Sequence, residues 1–280
     1  MRKCVPVRLT AQELESRQLL SASPVQYVFN GPGQLTINGS SEADKISVQM
    51  QGDADTSSAT VQVIVGYGRQ AATKTFEAVT NVSIFGNAGN DHIKISGANL
   101  SEFFGVWTQV NGGDGNDVIR IVNFDGGVSA DGGSGNDLID ASHAFGRFAL
   151  VGSASFRFLS GGTGNDRIMG SSYSDYLQGG AGDDVINAGA GNDWLAGDSG
   201  KNILRGGTGD DTFSVTSLNG TYAQAVADGN VGGFDKVIGG VGNDTIYGDF
   251  NSSMGEAEFG LRSTSSVENF RLNDFIGGGG

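Results

Sequence analysis

A nine-residue period constrains this chain more than any other feature. Between residues 161 and 214 six nonamers follow without a gap: GGTGNDRIM, GSSYSDYLQ, GGAGDDVIN, AGAGNDWLA, GDSGKNILR and GGTGDDTFS. Further copies stand at 86–94, 112–120, 132–140 and 239–247, and a decayed one at 39–47. A short unit of this kind cannot bury a core alone; copies must stack, and stacking makes a solenoid.

Each position in the unit has a physical reason. Glycines at positions one, two and four tolerate backbone angles closed to other residues, so the first half reads as a tight turn. Position six is an acid in nearly every copy. Position eight is always apolar: Ile93, Ile119, Ile139, Ile168, Leu177, Ile186, Leu195, Leu204, Phe213 and Ile246. Positions seven and nine are mixed, as alternation along a short strand requires. Two units then make one coil of 18 residues with a strand on each side. A turn lies beside the turn 18 residues later, so Asp166 is expected next to Asp184, Asp175 next to Asp193, Asp184 next to Asn202 and Asp193 next to Asp211.

Such turns suit a hard cation. Turn carbonyls and carboxylates are the oxygen donors that Ca²⁺ takes, six to eight at ~2.3–2.6 Å. The expected ligand positions are Asp91, Asp117, Asp137, Asp166, Asp175, Asp184, Asp193, Asn202, Asp211 and Asp244. The turn glycines are Gly112, Gly113 and Gly115; Gly132, Gly133 and Gly135; Gly161, Gly162 and Gly164; Gly179, Gly180 and Gly182; and Gly206, Gly207 and Gly209. Asn202 offers a neutral carbonyl, and Ser171 and Ser172 disturb the turn before Asp175, so these two are the weaker positions. Composition agrees: 23 Asp against 8 Glu, and a net charge of −14. A glycine solenoid without metal has no reason to carry Asp at every sixth position.

These residues resemble the RTX, or haemolysin-type, calcium-binding repeat family. The resemblance implies an all-β fold, a right-handed parallel β-roll (a β-solenoid), folded around several Ca²⁺ ions in a secreted protein. The expected organisation is an N-terminal export-type segment over 1–25, a β-rich leading region with irregular strands over 26–85, the roll over 86–250, and a strand leading into a further turn over 251–280. Residues 14–21 (LESRQLLS) resemble the LEPR-XLL segment of large exported bacterial proteins, with Ser16 where that family has proline. The chain stops where another GGxGxD turn would begin, which suggests a truncated product.

Other classes find little support. A strongly acidic chain lacks the basic face that nucleic acid needs. No apolar run of ~18 residues is present to span a membrane. Cys4 is single, so no intrachain disulfide forms; His92 and His143 have no metal-ligand spacing. There is no HExxH, GxSxG or P-loop sequence, so no enzyme is expected. The aromatic residues Phe103, Phe104, Trp107, Phe145, Phe148, Phe156 and Phe158 are expected to fill the core rather than form a carbohydrate platform. The function expected is an extracellular or cell-surface calcium-binding repeat protein, structural or adhesive, with a cell-surface polymer or protein as candidate partner. The alternative is the accessory region of a secreted hydrolase or haemolysin-like toxin.

Overall fold

The computed structural model describes residues 25–30, 33–52, 59–66, 71–98, 106–124, 126–144, 157–215, 236–242, 244–248 and 271–272. The segment 1–24, most of 251–280 and the aromatic residues Phe103, Phe104, Phe145, Phe148 and Phe156 lie outside them.

Every described element is a strand. The leading residues form β1 (Gln26–Asn30), β2 (Gln34–Asn38), β3 (Lys45–Gly52), β4 (Ala59–Val65) and β5 (Ala72–Val79). Next come β6 (Asn81–Ala88), β7 (His92–Ala98), β8 (Trp107–Asp114), β9 (Val118–Val122), β10 (Val128–Ser134) and β11 (Leu138–His143). The uninterrupted repeats give β12 (Arg157–Thr163), β13 (Arg167–Met169), β14 (Asp175–Ala181), β15 (Val185–Ala190), β16 (Trp194–Ser199), β17 (Ile203–Thr208) and β18 (Thr212–Val215). The series ends with β19 (Lys236–Val241), β20 (Thr245–Gly248) and β21 (Arg271–Leu272).

Successive strands alternate between two sheets. The first has 11 strands, in the order β1-β2-β6-β8-β10-β12-β14-β16-β18-β20-β21; the second has 10, in the order β19-β17-β15-β13-β11-β9-β7-β3-β4-β5. Neighbours from β6 to β20 in the first sheet, and from β7 to β19 in the second, are all parallel. The fold is the open, two-sheet β-roll that the repeat implies. Among the described strands, antiparallel pairs occur only in the leading region, as β1–β2 and the β3–β4–β5 meander, and those strands join the same two sheets.

The eighth position drives this packing. Ile93, Ile119, Ile139, Ile168, Ile186 and Leu204 stack in the second sheet, and Leu177, Leu195 and Phe213 face them from the first; all are fully buried in one apolar cluster. Burying one such side chain contributes ~1.5–3 kcal/mol, so the column, not any single turn, carries the hydrophobic stabilisation.

Asp91, Asp117 and Asp137 are unequally spaced in sequence, yet β7, β9 and β11 pair in register. Between β5 and β6 the chain breaks at Thr80, whose N–H donates to the Gly33 carbonyl at 2.7 Å. Trp107 and Phe158 are not core. Trp107 is 47% exposed, and Phe158 stacks on Tyr176, which stacks on Trp194, along the outward face of the first sheet. Rings stacked face to face across strands present their edges to solvent, which suits ladder stabilisation better than sugar stacking.

Candidate metal centre

The two turns of each coil fall on opposite edges of the roll. One edge carries Asp44, Asp91, Asp117, Asp137, Asp166, Asp184 and Asn202; the other carries Asp175, Asp193, Asp211 and Asp244. Every expected ligand position is buried, and each is joined to its neighbour by the same bond. The backbone N–H of one Asp donates to Oδ1 of the residue one coil on: Asp91 to Asp117 at 2.7 Å, Asp166 to Asp184 at 2.8 Å, Asp193 to Asp211 at 3.0 Å. The pairings at 18 residues expected from the sequence are all present, and the ladder also crosses intervals of 26, 20, 29 and 33.

The ladder uses one carboxylate oxygen and leaves the other. Oδ2 of Asp91, Asp117, Asp137, Asp166, Asp184, Asp193 and Asp211 is buried and accepts no hydrogen bond. A buried, unsatisfied carboxylate oxygen is costly unless a cation or a proton meets it. Burial accordingly pushes these carboxyls up from an ordinary 3.8: Asp91 to about 6, Asp137, Asp184 and Asp211 to about 7, and Asp193 to about 8. Desolvation is the main cause in each, and neighbouring aspartates add to it, Asp166 and Asp117 beside Asp137, and Asp175 and Asp211 beside Asp193.

The glycines shape the space around Oδ2. Positions two and four have positive φ, as at Gly133 (105°) and Gly135 (127°). A Cβ on Gly133 would strike the Gly113 carbonyl, and one on Gly135 the Gly115 carbonyl, so the main-chain oxygens of one turn press on the next. Position one differs from expectation: Gly112, Gly132, Gly161, Gly179 and Gly206 have no positive φ. They are glycine for room. A Cβ on Gly112 would meet both Asp117 Oδ2 and the Gly132 carbonyl, so an orphaned carboxylate oxygen and a carbonyl of the next coil converge there. The same convergence recurs at Gly132 with Asp137 and Gly161, and at Gly161 with Asp166 and Gly179.

Among the described residues no three His, Cys, Asp or Glu side chains gather into one cluster. A cation at these turns would therefore be held by one carboxylate and several carbonyls, an all-oxygen set that fits Ca²⁺. In that role Oδ2 supplies the charge, the glycine carbonyls complete the shell, and the Oδ1 ladder fixes the carboxylate's orientation.

One set of structural residues escaped the sequence reading. Position five forms a second ladder running the other way: the N–H of Asn116 donates to Asn90 Oδ1 at 2.8 Å, Asn136 to Asn116 at 2.7 Å, Asn165 to Asn136 at 2.7 Å, and Asp183 to Asn165 at 2.7 Å. The signal was there, since Asn or Asp recurs at position five in GND and GDD. The histidines stay outside the turns: His92 bonds Arg120 at 2.8 Å and His143 bonds Ser142 Oγ at 3.0 Å.

No curated protein matches the chain. Residues 81–94, 109–120, 160–195, 196–216 and 231–252 match the RTX calcium-binding nonapeptide repeat. The copy at 132–140 falls outside these segments, yet Asp137 carries both the ladder bond and the orphaned Oδ2. Repeats of this kind bind Ca²⁺, several ions across successive copies, so Ca²⁺ is the cofactor. The two edge ladders are built largely from RTX calcium-binding nonapeptide repeats.

Proposed function

We propose that this is an extracellular or cell-surface protein whose roll is folded and stiffened by Ca²⁺, with a structural or adhesive role and no catalysis of its own. The observation that carries the reading is the file of buried, unpartnered Oδ2 atoms along two edges, which a divalent cation satisfies and water cannot reach. Such carboxylates oppose folding of an acidic chain until cations neutralise them. Titrating Ca²⁺ into chelated protein under far-UV circular dichroism tests this. A β spectrum that develops in millimolar Ca²⁺ is expected; the same spectrum and Tm in chelator would overturn it.

The adhesive part is supported by the outward face of the second sheet. Lys45, Lys94, Arg120, Arg167 and Arg205 occupy outward positions there, with Asp140 the acid among them. His92 lies in the same patch, its pKa lowered by burial and by the Arg120 and Lys45 charges. The outward positions of β2, β6, β8, β10, β12, β14, β16 and β18 carry no Lys or Arg. Calcium in the turns offsets the acidic rims and leaves this face to meet an anionic polysaccharide. Dextran sulfate should retain the protein in Ca²⁺ and uncharged dextran should not. Retention unchanged in the double variant Arg167→Glu/Arg205→Glu would rule the face out.

A further inference from the structure

Two turns of the ladders carry serine at position two, and both read G-S-S-x-x-D: 39–44 and 170–175. Their hydrogen bonding is the same. Ser171 N–H donates to Asp175 Oδ2 at 2.6 Å, its Oγ donates to that oxygen at 2.9 Å, and the Tyr173 N–H donates to Ser171 Oγ at 3.1 Å. At the other turn the values are 2.6 Å from Ser40 N–H to Asp44 Oδ2, 2.9 Å from Ser40 Oγ, and 3.1 Å from the Glu42 N–H. Neither serine has positive φ, so the N–H that points elsewhere in a glycine turn closes onto the carboxylate here. The Oδ2 that is orphaned in the glycine turns is doubly satisfied in the serine turns.

At 170–175 a cation is present as well. Arg157 is 4% exposed, and its Nη1 donates to Ser171 Oγ at 2.8 Å and lies 3.9 Å from Asp175 Oδ1, while Nη2 donates to the Phe124 carbonyl at 3.4 Å. Arg157 is in register with Asp175, one coil earlier. Earlier coils fill the same slot with Val82, Thr108 and Val128, and later coils with Asp193, Asp211 and Asp244. Arg157 therefore stands at the junction between an apolar column and an aspartate column. A buried Asp at that junction needs a positive charge, and a guanidinium supplies one permanently.

We infer that Arg157 and Ser171 take the place of Ca²⁺ at Asp175, that Ser40 closes the turn at Asp44 in the same way, and that the calcium column on the second edge begins at Asp193. The inference rests on the calcium reading of the glycine turns. It gives the roll two turns whose closure does not depend on calcium concentration, one in the leading region and one where the second aspartate column starts.

Isothermal titration of Ca²⁺ into the full chain counts the ions. Asp44→Asn and Asp175→Asn should bind as many as the parent protein, while Asp193→Asn binds fewer. Arg157→Met, with the fixed cation removed, should bind one more. An ion lost in Asp44→Asn or Asp175→Asn, or an unchanged count in Arg157→Met, overturns the assignment. Should Asp175→Asn fail to fold, Asp44→Asn decides alone, since no buried arginine depends on it. An undiminished count in Asp193→Asn would instead sink the calcium reading of the glycine turns, and this inference with it.

Discussion

The backbone N–H of Asp184 donates to Asn202 Oδ1 at 2.9 Å, a bond as short as those that run from one aspartate to the next. An asparagine thus serves the ladder fully while offering no second carboxylate oxygen. The ladder and the metal make separable demands on position six, and substitution can tell them apart.

Asp184→Asn should keep the bond from the Asp166 N–H and lose the cation ligand. Its calcium midpoint should rise several-fold with little loss of stability in chelator. Asp184→Ala removes both and leaves the buried Asp166 N–H without an acceptor, an added cost of about 1–3 kcal/mol. Urea melts in chelator and in Ca²⁺ would show it; equal behaviour of the two variants would contradict the division of labour.

Calcium removal should act on stability in proportion to the sites filled. Ca²⁺ at ~100 times Kd adds ~2.7 kcal/mol per independent site. Two such sites already account for a large part of a marginal stability. Tm should therefore climb steadily with Ca²⁺ concentration, and a Tm that is flat across the titration would refute it.

The carboxyls raised by burial predict an inverted pH response in chelator. Folded values of about 6 to 8 at Asp91, Asp137, Asp184, Asp193 and Asp211 stand above the ordinary 3.8, so the fold favours the protonated form. That contribution is complete below about pH 3.8 and is lost as pH rises through 6 to 8. Chelated protein should melt higher at pH 5.5 than at pH 8. Calcium competes with these protons, so its apparent affinity should fall from pH 8 to pH 6. A chelated Tm that rises with pH would count against the burial of these groups.

Where position two is glycine with φ near 105°, alanine should not be tolerated. Gly162→Ala forces a residue to φ near 105° and drives its Cβ into the Gly133 carbonyl. Strain of this kind costs about 1–3 kcal/mol, and the carbonyls could no longer close on an ion. Thr163→Ala, at an exposed third position, should be nearly silent. Thermal melts of both in Ca²⁺ check the contrast.

Much of this is legible in residues 161–214. There Asp166, Asp184 and Asn202 repeat in fixed phase, and equal spacing dictates which turns touch. The reading fails where phase does not carry the information. Nothing in the spacing of Asp91, Asp117 and Asp137 says that β7, β9 and β11 pair in register. Arg157 belongs to no turn motif, and its partner emerges only when β12 is laid against β14. Phe158 reads as core by composition, yet it alternates with the fully buried Leu159 and so must face out. Position five recurs as Asn or Asp, but its partner is a main-chain N–H, which the pattern alone does not name.

Strand alternation between the two sheets also limits how such a chain can be edited. A coil is two nonamers, so gaining or losing 18 residues lengthens or shortens the roll and leaves everything downstream in place. An insertion of a single nonamer after 184 would send each later strand to the opposite sheet. The apolar eighth positions would still be buried, but Asn202 would change edges with Asp211, and the cationic and aromatic outer faces would be scrambled. Copy number in this architecture has a parity, and only even changes preserve the surfaces.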